Sequence, residues 1–159
     1  MERAVYVAMV VAMAVPAWGG AADGDQIVGL WATAPDEVDG NAHVEIYKNN
    51  GTYEGKIVWL EKPVYNPDDE EGMAGQDKVD RENPDEALRD RPILGLQIMS
   101  DFEYGGNNKW KKGTIYAPDD GKTYKCKMSL SEGVLKVRGY IGISMLGRTE
   151  EWTRVPAKQ

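Results

Sequence analysis

Gly133-Val134-Leu135-Lys136-Val137-Arg138-Gly139-Tyr140, then Ile141-Gly142-Ile143-Ser144-Met145-Leu146-Gly147, then Arg148-Thr149-Glu150-Glu151-Trp152-Thr153-Arg154, alternates apolar and polar residues over most of its length. A strand with one buried face must alternate in this way, because successive side chains point to opposite sides. The alternation sets Arg148, Glu150, Trp152 and Arg154 on one face of a single strand. Charges on a buried face need partners, so this face predicts paired charges around an aromatic.

The same period recurs upstream. Ile27 to Thr33 reads as a first strand and His43 to Lys48 as a second, with Asn49-Asn50-Gly51 as the hairpin turn and Thr52 to Leu60 as the third. Lys109 to Ala117 and Thr123 to Leu130 form another hairpin across Pro118-Asp119-Asp120-Gly121. Ser131-Glu132-Gly133 turns into Val134 to Gly139, and Ile143 or Arg148 to Val155 closes the series. The fold expected is all-β, a mostly antiparallel meander of seven or eight strands. A meander exposes two edges, and closure into a barrel removes them.

One insertion interrupts the meander, at about 61–106. Asn66 to Gln76 is acidic and glycine-containing, and reads as a loop. Asn83-Pro84-Asp85-Glu86 supplies an N-cap, a proline at the first helical position and acids in the first turn, so one short helix is expected through Ala87-Leu88-Arg89. Ile93 to Met99 is apolar enough to dock on the core or plug a barrel end. Formal net charge is −7, and ten acids against four bases between Asp68 and Arg91 place −6 of it in the insertion. Nucleic-acid binding asks for an excess of Lys and Arg on one face, and the sequence lacks it.

The N-terminus predicts export. Met1-Glu2-Arg3 is a charged head, Ala4 to Val15 is apolar, and Pro16-Ala17-Trp18-Gly19-Gly20-Ala21-Ala22 offers small residues for cleavage. The apolar run is shorter than the ~18–20 residues that span a bilayer. Residues 1–21 are therefore expected to be a cleaved secretory signal, leaving 22–159 as a single β domain in the periplasm or outside the cell, with no membrane span. Cys126 is the sole cysteine, so no internal disulfide forms; its strand position suggests a buried small hydrophobe.

Catalytic equipment is sparse. His43 is the only histidine and sits on a face read as solvated, and no serine lies in a Gly-x-Ser-x-Gly elbow. One histidine and one cysteine do not make a zinc site. Asp77, Asp80, Glu82, Asn83 and Asp85 supply hard oxygens of the kind calcium takes, without EF-hand spacing, while Asp80, Arg81, Arg89 and Arg91 equally suit an ion-pair network. The expectation is no metal, no cofactor and no catalytic residue, with the Glu45 and Glu54 carboxylates the one pair left to an enzyme.

Several separated motifs carry a family resemblance. Gly55-Lys56-Ile57-Val58-Trp59-Leu60, Asn83-Pro84-Asp85 with Leu88-Arg89 and Arg91-Pro92, Asp120-Gly121-Lys122-Thr123-Tyr124, and Val137-Arg138-Gly139-Tyr140 through Leu146-Gly147-Arg148-Thr149 and Trp152 occur in order. Together they resemble the secreted bacterial proteins known as domain of unknown function 2147. Gly29-Leu30-Trp31, with arginines in the final strand, also resembles the calycin pattern of lipocalin- and avidin-like barrels. That likeness implies a first-strand tryptophan stacked at the barrel base on a basic side chain of the last strand. Gly29, Trp31 and Arg154 take structural parts, as do Asn83 and Asp85 in the insertion, and Arg148 is expected to cap the base against Trp31.

The remaining constellation is Arg138, Tyr140, Arg148, Glu150 and Trp152, with Arg138 and Glu150 meeting across neighbouring strands. At a barrel mouth it would bind a small anionic or amphipathic ligand. The alternative is a protein–protein module, a protease inhibitor or envelope-stress factor, that uses the acidic insertion against an envelope protein.

Overall fold

Successive hairpins wind once around an axis. In the computed structural model, which describes residues 23–37 and 39–156, the strands are β1 (Gly29–Ala32), β2 (Ala42–Asn49), β3 (Thr52–Leu60), β4 (Gln97–Tyr104), β5 (Lys109–Ala117), β6 (Lys122–Ser131), β7 (Val134–Tyr140) and β8 (Arg148–Arg154). Each pairs antiparallel with the next, and β8 returns to β1 with Trp31 opposite Arg154 and Ala32 opposite Thr153. The barrel is closed and has no open edge. The expected signal, residues 1–21, lies outside the described residues. Among those described, no helix is long and apolar enough to cross a membrane.

β4 is the strand that strict alternation hides, so the interruption of the meander ends at 96 rather than 106. Asp101 has φ 62°, and the buried Met99 and Phe102 are separated by two residues rather than one. Lys112 in β5 has φ 64°, again between two inward positions, Trp110 and Gly113. These irregularities face each other between the pairs Ser100–Thr114 and Glu103–Lys111. An extra residue in a strand moves every later side chain to the other face. Because both strands carry one, Phe102 still points inward, and its ring lies where a Cβ on Gly113 would come within 2.4 Å.

A 3-10 turn, Asp23–Ile27, crosses one end of the barrel and closes it. The Trp31 indole donates to the Ile27 carbonyl at 2.8 Å and the Trp110 indole to the Gly24 carbonyl at 3.2 Å. The Tyr53 hydroxyl donates to Asp25 at 2.6 Å, and Lys48 reaches the same carboxylate at 2.7 Å. Ile27, Trp31, Met99, Phe102 and Trp110 are almost wholly buried here. This end is a packed base.

The insertion, 61–96, folds back on the barrel. Its helix is a single 3-10 turn, Glu86–Leu88, and the capping carboxylate belongs to Asp85, which accepts from Ala87 N–H at 3.0 Å. The expected cap, Asn83, instead accepts from Asp85 N–H (2.9 Å) and donates to Asp80 (2.8 Å) and Tyr116 (3.0 Å). Asp80, with no exposure to water, also takes the Tyr116 hydroxyl at 2.6 Å and a two-pronged contact from Arg91 at 2.8 Å. These donors occupy the carboxylate that calcium would need. Among the described residues, no three His, Cys, Asp or Glu are grouped to hold a metal. Ile93 and Leu96 join the core, where Ile93 to Met99 was expected to dock, while Ile98 and Met99 belong to β4.

Candidate functional site

Above the packed base the barrel is hollow. A cavity of about 1320 Å³ opens at the other end, walled by Ile57, Leu60, Ile98, Ile115, Val137 and Trp152. Its mouth is formed by the β1–β2, β5–β6 and β7–β8 connections together with the insertion between β3 and β4.

β8 links the two ends. Arg154 sits at the base, with its guanidinium 4.2 Å from the centre of the Trp31 ring and hydrogen bonds to the carbonyls of Val28 (2.9 Å) and Gln26. Desolvation lowers its pKa below the usual arginine value. From there Trp152, Glu150 and Arg148 rise along the inner face to the mouth. Side-chain exposure climbs to 37% at Glu150 and 84% at Arg148, from a buried Trp152. The Trp152 indole donates to Glu150 at 3.1 Å, and Arg148 stands 3.9 Å from the other carboxylate oxygen. Arg148 thus does not cap Trp31, as the sequence led us to expect. A strand that spans the barrel separates the two arginines, and only Arg154 is opposite Trp31 in register.

Arg138 is also displaced from its expected place. The register pairs it with Thr149 and pairs Val137 with Glu150, so Arg138 lies on the outer face and does not meet Glu150. It donates to Thr149 Oγ1 (2.6 Å) and to the carbonyls of Ser144 (2.8 Å) and Met145 (3.2 Å). Those bonds pin the β7–β8 arch, whose 3-10 turn is Ser144–Leu146. Tyr140, at the end of β7, reaches the cavity lip. Of the five residues expected to form a site, Arg148, Glu150 and Trp152 line the cavity, Tyr140 borders it, and Arg138 supports the arch from outside.

Asp39, Asp119 and Asp120 were not foreseen as site residues. Pro118-Asp119-Asp120-Gly121 reads simply as a turn, and Asp39 falls between the first two strands. In an up-and-down barrel, alternate connections share an end; that rule, once the strand count is right, gathers these acids. Asp119 faces solvent at the rim. Even so its carboxyl is held above its usual pKa, chiefly by desolvation, with the charges of Asp120, Asp39 and Glu150 adding to the rise. Tyr124 donates to Asp120 from the inner wall.

The arch makes the opposite side of the mouth apolar. Ile141, Ile143, Met145 and Leu146 are all more than half exposed, and Ile141 and Leu146 line the cavity itself. One side of the opening is greasy and the other acidic.

The other candidate groups lie elsewhere. His43 stacks on Trp59 at 4.4 Å outside the barrel. Glu45 pairs with Lys56 at 3.1 Å, while Glu54 stands opposite Tyr47 and accepts from Asn49, so the two carboxylates do not form a dyad. Cys126 is buried on β6, and burial pushes its thiol up to about 12.

A closed eight-stranded barrel with a plugged base, a Trp–Arg stack at that base and a cavity open at the other end defines a lipocalin-like class. Residues 29–154 match the family described as "Uncharacterized protein conserved in bacteria (DUF2147)", and the chain belongs to that family. Among solved structures, the Helicobacter pylori protein HP1028, described as belonging to the lipocalin family, superposes with a TM-score of 0.69 at 24% identity, covering 82% of this chain and 84% of that one. No curated protein matches the chain.

Proposed function

We propose that this protein is an exported binding or carrier module for a small amphipathic molecule held in the barrel, acting in the periplasm or outside the cell. The observation that carries this reading is the cavity of about 1320 Å³, apolar below and charged at its mouth. Ligand sites of this kind are concave, mostly apolar and furnished with a few polar groups that orient the ligand. An anionic ligand loses support, because of the two arginines expected to receive it Arg138 is committed to the arch and Arg148 stands beside the Glu150 carboxylate. The insertion, tied to the barrel through Asp80 and Tyr116, contributes to the cavity mouth, which favours the carrier over a module that docks partners on a free-standing loop. The short apolar run at Ala4 to Val15 supports export.

Mass spectrometry of protein isolated natively from its own cell envelope tests this. A stoichiometric small molecule, released by denaturation, is expected. A barrel that carries nothing and also fails to take up a neutral apolar fluorophore would refute the carrier.

A further inference from the structure

The cavity's chemistry specifies its ligand further. Its described lining includes ten acids and only three bases, Lys78, Arg81 and Arg148. Each base already has a carboxylate within reach: Lys78–Asp39 at 2.7 Å, Arg81–Asp69 at 2.8 Å and Arg148–Glu150 at 3.9 Å. The charge left over is negative. A cleft lined by one sign of charge with low-dielectric walls concentrates the opposite charge.

Glu150 is the acid of this lining that a barrel strand carries, the other nine lying on connections. It projects from the inner face of β8 directly above the buried Trp152, whose indole fixes one of its oxygens at 3.1 Å. The other oxygen faces the distant, mostly exposed Arg148 at 3.9 Å. Across the rim, Asp119 carries its charge against Asp120, Asp39 and Glu150. A positive group at this level would relieve that repulsion. Below it, Trp152 and the aliphatic walls accept an apolar chain, and the exposed arch gives that chain a way in.

We propose that the cavity binds an amphiphile whose polar end is a cation, an amine or ammonium group seated between Glu150 and Asp119 with its apolar body against Trp152 and Ile98. The proposal rests on the carrier reading and adds the sign of the ligand's charge. The cavity carries it, and the carboxylates select within it.

Three ligands of equal chain length separate the two claims: decylamine, decanol and decanoate, each competing with the neutral fluorophore N-phenyl-1-naphthylamine at neutral pH and low salt. Decylammonium is expected to displace the fluorophore about tenfold more tightly than decanol, consistent with one charge-assisted contact, and decanoate more weakly than decanol. Added salt should narrow that spread. Glu150→Gln and Asp119→Asn should each cut the decylammonium advantage and leave decanol unchanged. Glu103→Gln, on the outer face where Glu103 pairs with Lys112, should change neither. Gln at position 150 can still accept from the Trp152 indole, so that variant keeps its local packing. Decylammonium no tighter than decanol, decanoate as tight as decylammonium, or an ammonium preference untouched by both carboxamide variants would overturn the cation. If neither the fluorophore nor decanol binds, the carrier reading itself fails and this proposal falls with it.

Discussion

The two ends of this barrel are built from similar residues arranged to opposite purposes. Each end has a carboxylate that receives a tyrosine hydroxyl: Asp25 from Tyr53 at the base and Asp80 from Tyr116 beside the mouth. At the base the carboxylate ties a 3-10 turn across the opening, and the indoles of Trp31 and Trp110 donate to that turn's own carbonyls. Beside the mouth the carboxylate lies outside the wall and fastens the insertion to β5, so the hole stays open. Position decides the outcome. A polar anchor directed across the axis closes a barrel, and the same anchor directed outward holds a loop at its rim.

The contrast is tested most severely at the base. Trp31→Ala removes a fully buried indole, its bond to Ile27 and the surface on which Arg154 stacks. Truncating a core aromatic costs about 3–5 kcal/mol, a large share of a small domain's stability. Denaturant melts should show that loss. Arg154→Ala should cost about 1–2 kcal/mol alone and much less in the Trp31→Ala background, because its partner is already gone. Equal costs in both backgrounds would break the base as described.

At the rim, Arg91→Ala strips Asp80 of the cation it pairs with among the described residues. Removing one member of a buried pair is expensive, but Arg91 is partly open to water, so about 2 kcal/mol is expected. The loss should be local. Limited proteolysis should cut within 61–96 while the barrel's own melt moves less.

Acid distinguishes the ends more gently. The hydrogen bond from Lys48, then that from Tyr53, holds Asp25 below its ordinary 3.8, and Arg81 does the same for Asp69 in the insertion. A carboxylate whose folded pKa is depressed contributes stability above its unfolded value, and that contribution disappears as pH falls through the folded value. Melts should therefore hold steady down to about pH 5 and weaken progressively below about pH 4. Asp119, raised rather than lowered, works in the opposite direction and on the other side of 3.8: its contribution becomes more favourable as pH falls through its folded value toward the unfolded one. Asp25→Asn should flatten the acid limb of the global melt. Asp69→Asn should alter chiefly the insertion's proteolysis.

Much of this architecture was legible in the sequence where the alternation is unbroken. β2, β3, β6 and β7 show it, and Gly29-Leu30-Trp31 with a final-strand arginine signalled closure. β4 was hidden because the extra residue at Asp101 places Met99 and Phe102 three apart. The site was half legible. Glu150 and Trp152 follow from strand parity, whereas Arg138 depends on the β7–β8 register, and a shift of one residue reverses its face. The acids of the rim lie on separate loops, and only closure of the barrel brings them together.

The smallest expected effect falls on Arg148, and it tests the division between the ends most directly. Gly29-Leu30-Trp31 pointed to a final-strand arginine stacked there, and Arg148 was the one expected, yet Arg148 and Arg154 lie six residues apart on a strand rising about 3.4 Å per residue, so roughly 20 Å separates their backbones. Arg148 is 84% exposed, and the carboxylate it pairs with, Glu150, is 3.9 Å away. An ion pair so open to solvent contributes little to folding. Arg148→Ala should change denaturant stability by no more than about 0.5 kcal/mol. Combined with Trp31→Ala, it should add independently, within about 0.5 kcal/mol, as distant sites do. A coupling as large as that expected of Arg154 would place both arginines on one aromatic and undo the separation of base from mouth. Additivity instead leaves Arg148 free to act at the opening, where its removal takes a positive neighbour from Glu150 and should strengthen binding of a cationic amphiphile.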